Sequence, residues 1–89
     1  MNVEKQAWQS VLDAEVQRWS AMPFAELVVR LRDMAVYEVE LQEKKYQVEV
    51  ELLRDTEKQL EIMIAVDDGV LARSLRPLTQ IIAREKPLP

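Results

Sequence analysis

The chain has 89 residues, 48% of them hydrophobic and 31% charged, with a formal net charge of −4 and neither cysteine nor histidine. That length is expected to make one domain spanning residues 1–89, with a thin core and residues 85–89 as an extended tail. Without cysteine there is no disulfide framework and no thiolate chemistry. Without histidine the commonest zinc ligand and the commonest proton shuttle are gone, so a catalytic function is disfavoured. The negative charge speaks against nucleic acid, whose phosphates are bound by clustered Lys and Arg.

From about Val3 to Ser20 the residues Trp8, Val11, Leu12 and Trp19 fall on one face of an α-helix. Pro23 is well placed in the first turn of a second helix, because its missing N–H has no intrahelical partner there. Phe24, Leu27, Val28 and Leu31 supply that helix with an i, i+3, i+4, i+7 stripe, which is expected to end near Asp33. At Tyr37 the period changes to two. Segments beginning YEVEL, YQVEVELL and QLEIMIAV alternate apolar with polar residues and are joined by the short polar runs QEKK and RDTEK. Such short connections force an antiparallel meander of three strands.

Gly69, the only glycine, stands after Asp67 and Asp68, where a chain leaving a sheet gains from a positive φ. Beyond it Leu71, Leu75, Leu78 and Ile82 lie at helical spacing. With Ser74 as N-cap and Pro77 in the first turn, a third helix running to about Glu85 is expected, the alternative being a fourth strand over TQIIARE. The resulting fold class is α+β in the order ααβββα, with the helices on one face of the sheet. Helix, meander, helix is also the order of double-stranded RNA-binding domains. The lysine cluster of that family is missing from VLARSLRPL, so its function is rejected.

Alternation puts Glu38, Glu40, Glu49, Glu51 and Glu61 on one side of the sheet, away from the helices. Residues 36–68 hold ten acidic and four basic side chains, so the charge is concentrated there. If the first hairpin closes on Glu43 and Lys44, Glu38 lies opposite Glu49. If Leu52 lies opposite Leu60 in the second, Glu51 faces Glu61; either register could slip by two residues and keep all five glutamates on that face. Carboxylates about 5.5 Å apart repel by about 0.8 kcal/mol in water and about 3 kcal/mol at an effective dielectric of 20, so such a face stays wet or meets cations. It could simply guard the sheet against aggregation, or it could be a docking plate for a basic protein.

The same carboxylates could hold calcium or magnesium, but a flat sheet does not wrap an ion and no EF-hand loop is present, so no metal or cofactor is expected. Asp67 and Asp68 read as the acidic lip of a turn rather than a catalytic pair, and no serine has a histidine to activate it. No catalytic residue is assigned. MNVEKQAWQS has no apolar run for a signal peptide and no stretch could span a bilayer, which makes the cytoplasm the expected location and excludes a membrane partner.

The stretches WQSVLDAEVQRWSAMPFAEL, YEVELQEKKYQVEVELL, AVDDG and SLRPLTQII together resemble small uncharacterised bacterial proteins over nearly the whole chain. That resemblance implies no activity, cofactor or site. The expected function is a non-catalytic protein-binding or adaptor module acting through the glutamate face or the Trp-bearing helix. The alternatives are a structural homo-oligomer, joined through an edge strand or the basic C-terminal helix, and a carboxylate-only enzyme.

Overall fold

A computed structural model of the chain describes residues 3–68 and 77–88. Two helices, α1 (Val3–Ala21) and α2 (Phe24–Arg30), precede four strands: β1 (Ala35–Leu41), β2 (Lys44–Asp55), β3 (Gln59–Asp67) and β4 (Leu78–Glu85). The strands form one antiparallel sheet in chain order, β1-β2-β3-β4. The twelve residues of β2 run about 40 Å at strand rise, which accounts for the long axis of the 45 × 21 × 21 Å molecule.

The fold class expected from the sequence is therefore corrected. Residues 78–85 are not the end of a third helix but an edge strand, so the order is ααββββ, and the proposed N-cap Ser74 and the Gly69 turn lie outside the described residues. The physical reason is that Leu78 and Ile82 are four apart, a spacing that suits one face of a helix and one face of a strand equally well. In the sheet Leu78 lies opposite Val66 and Ile82 opposite Ile62, so the same two side chains reach the same core by another route. β-branched Thr79, Ile81 and Ile82 favour the strand, and Pro77 stands just before it, where no ladder hydrogen bond is lost.

Pro23 precedes α2 instead of occupying its first turn. Its φ of −55° and ψ of 139° are non-helical, and its carbonyl accepts the Leu27 N–H at 2.9 Å. α2 ends at Arg30, three residues before Asp33. α1 covers one face of the sheet, and α2 adds Leu27 to the core on that side. α1 lies across β3 and β4 and reaches β1. Val11, Leu12 and Trp19 of α1, Leu27 and Leu31 around α2, and Tyr46, Val48, Val50, Leu60, Ile62, Ile64 and Val66 of the two central strands make one core.

A polar strut crosses that core. Trp19 Nε1 donates to the Tyr37 hydroxyl at 2.8 Å, the hydroxyl donates to the buried Glu15 carboxylate, and the Arg18 guanidinium lies 5.4 Å from the Tyr37 ring centre. Across the molecule Arg84 Nη1 donates to the Trp19 carbonyl at 2.8 Å. Helix α1 is thus tied to both edge strands, β1 through Tyr37 and β4 through Arg84.

Candidate functional site

The β1–β2 hairpin closes one step earlier than expected. Leu41 pairs with Lys44, leaving Gln42 and Glu43 as the two turn residues, with φ of 52° and 67°. Positive φ at both positions is the requirement of a type I′ turn, whose twist matches that of the strands it joins. Asn-Gly would satisfy it cheaply; Gln-Glu does so at a local cost. The register that follows sets Val39 opposite Tyr46, and Glu38 opposite Gln47 in place of Glu49.

In the second hairpin Leu52 lies opposite Ile62 and Glu51 opposite Met63. A bulge between Leu52 and Arg54 then inserts Leu53 as an extra residue and brings Arg54 opposite Glu61, with Arg54 Nε 3.1 Å from Glu61 Oε2. Thr56 fastens the turn beyond, where its Oγ accepts the Gln59 N–H at 3.1 Å and its own N–H donates to the Gln59 carbonyl at 2.9 Å.

Glu38, Glu40, Glu49, Glu51 and Glu61 alternate with Tyr37, Val39, Val48, Val50 and Ile62 of the helix-covered side, so all five lie on the opposite face of the sheet. The expected like-charge pairs do not form. Across the strands Glu38 meets Gln47, Glu40 meets Lys45, Glu49 meets Ala65, Glu51 meets Met63 and Glu61 meets Arg54. Each carboxylate has an uncharged or cationic neighbour directly opposite, and the repulsion anticipated for facing glutamates is relieved by register alone.

The same alternation places apolar side chains among the carboxylates. Val36 is 50% exposed and Ile81 59%, with half-buried Met63 between Glu51 and Ile81, and Leu53, 43% exposed, stands in the bulge next to Arg54. No described helix covers this face. Arg54, Lys45 and the apolar residues are the members that a search for carboxylates alone passes over, although the period of two in QLEIMIAV already puts Met63 beside Glu61.

No family model, curated protein or solved structure matches the chain. Its chemistry has to be read from its own residues. Among the described residues no group of three or more acidic side chains is arranged to hold a metal ion. Asp67 is buried at the end of β3, on the same face as Gln47 and Glu38. The two tryptophans of α1 turn inward: Trp19 is enclosed in the core, and Trp8 packs against it with its indole N–H buried and unbonded. No described helix is long and apolar enough to cross a membrane.

Proposed function

We propose that the protein is a small non-catalytic binding module whose open sheet face receives a basic protein segment carrying apolar side chains. The observation that carries this reading is the register, which interleaves Glu38, Glu40, Glu49, Glu51 and Glu61 with Val36, Met63 and Ile81 on one surface that no described helix covers. A face kept polar only to stay in water has no use for Val36 and Ile81 at half exposure or more. A partner that was only basic would leave these residues wet, and one that was only apolar would strand the carboxylates. A strand or helix with lysines or arginines beside apolar residues satisfies both. Enclosure of Trp19 in the core favours the sheet face over the Trp-bearing helix as the docking surface.

The test is capture from native lysate with the wild-type chain and with the Glu49→Lys, Glu51→Lys double variant. A basic protein held by the first and lost by the second, at an unchanged melting temperature, is the expected result. Equal capture by both would refute the docking plate.

A further inference from the structure

The two edges of the sheet are guarded differently. On β1 every second residue between Val36 and Leu41 is a glutamate, and pairing two copies of β1 over their full length would set Glu38 against itself. Charged edges of this kind resist strand addition. On β4 the run Thr79–Ala83 has no charge and three β-branched residues. Only one side of β4 is paired with β3, so among the described residues the backbone groups on its other side are left without a strand partner. Ile81, 59% exposed, stands on that edge.

We propose that β4 pairs antiparallel with β4 of a second copy, making a continuous eight-stranded sheet about a two-fold axis. The pleat allows only registers in which facing residues point to the same side, so the axis must pass at a residue and not between two. With the axis at Ile82, Ile82 faces Ile82 of the second copy, Ile81 faces Ala83, Gln80 faces Arg84 and Thr79 faces Glu85. No like charges meet. A large side chain lies against a small one, and both charged residues gain a neutral partner able to hydrogen-bond. With the axis at Ile81, Arg84 would instead oppose Leu78 and Glu85 would oppose Pro77, so both charged residues of the strand would meet apolar partners, whereas the axis at Ile82 leaves only Lys86, beyond the strand, opposite Leu78. The second copy is therefore favoured by self-complementarity that β1 lacks. Ile81 belongs to both this edge and the open face, but docking on the face is tested at Glu49 and Glu51 and pairing at Ile81 and Ala83, so the two proposals fail on different results.

The experiment is size exclusion with light scattering on the full chain, alongside two double variants checked by circular dichroism. The wild type is expected to be a dimer. Ile81→Lys with Ala83→Lys sets lysines opposite one another in both symmetric pairs and should give a folded monomer, whereas Ile81→Lys with Ala83→Glu sets Lys opposite Glu twice and should restore the dimer. A monomeric wild type overturns the proposal, as does a folded Lys/Lys variant that remains dimeric. Should the Lys/Lys variant fail to fold, the Lys/Glu variant decides, since a folded monomer there contradicts the register and a dimer supports it.

Discussion

Tyr37 is the side chain on which most of the buried polar chemistry converges. Its hydroxyl accepts from Trp19 and donates to Glu15, and burial together with the adjacent carboxylate pushes its pKa from 10.0 to about 12. Because the folded value lies above the unfolded one, the protonated phenol stabilises the fold fully below pH 10, and that contribution is lost as pH rises from 10 towards 12. Alkaline unfolding should therefore steepen in that window and flatten in Tyr37→Phe, with the Tyr37 share of the tyrosinate absorbance obtained by difference between the two proteins. At neutral pH the same substitution leaves Glu15 buried without its hydroxyl donor and should cost about 2 kcal/mol in denaturant titrations. A loss below about 0.5 kcal/mol would mean that Glu15 finds other partners at no cost.

Among the elements, the β1–β2 turn asks most of its residues. Gln42 and Glu43 both sit at positive φ, where a side chain bearing a Cβ crowds the backbone. Replacing them by Asn and Gly should raise stability by about 1 kcal/mol, or about 4–8 °C in melting temperature for a domain of this size. An unchanged melting curve would contradict the type I′ assignment. The turn also explains what the sequence could and could not disclose. Alternation alone was enough to assign Glu38, Glu40, Glu49, Glu51 and Glu61 to one face, since a two-residue slip leaves every side chain on its own side. It could not say which residues faced each other, because neither turn carries Asn-Gly and either could close at more than one place. The bulge at Leu53 had no local signal at all, yet it moves Arg54 opposite Glu61. The fate of 78–85 turned on the shared four-residue spacing of Leu78 and Ile82, which periodicity cannot resolve and the free edge of β3 does.

For the molecule as a whole, the decisive feature is that helices roof one side of the sheet and leave the other to small, charged and half-exposed residues. About 0.05–0.15 kcal/mol per residue gives a chain of this length roughly 4–13 kcal/mol of stability in total. The core strands must supply most of it. Ile62→Ala, at a position with no exposure, should cost about 3 kcal/mol, and Ile81→Ala on the open face about 0.5 kcal/mol or less in the isolated chain. Urea titrations at a protein concentration low enough to keep the chain monomeric compare the two directly. Similar losses at both positions would show that the open face is packed against something the helices do not provide.

The path of the chain also dictates when its first helix can settle. Each strand of the meander finds its neighbour immediately before it, so hairpins can close one after another as the nascent chain lengthens. Helix α1 emerges before these strands, yet part of its seat is β4, where Arg84 reaches the Trp19 carbonyl from 65 residues away. Until β4 has been made, its greasy flank has no finished berth. Helix α1 is thus the element most in need of shelter during translation, and β4 is what ends that exposure.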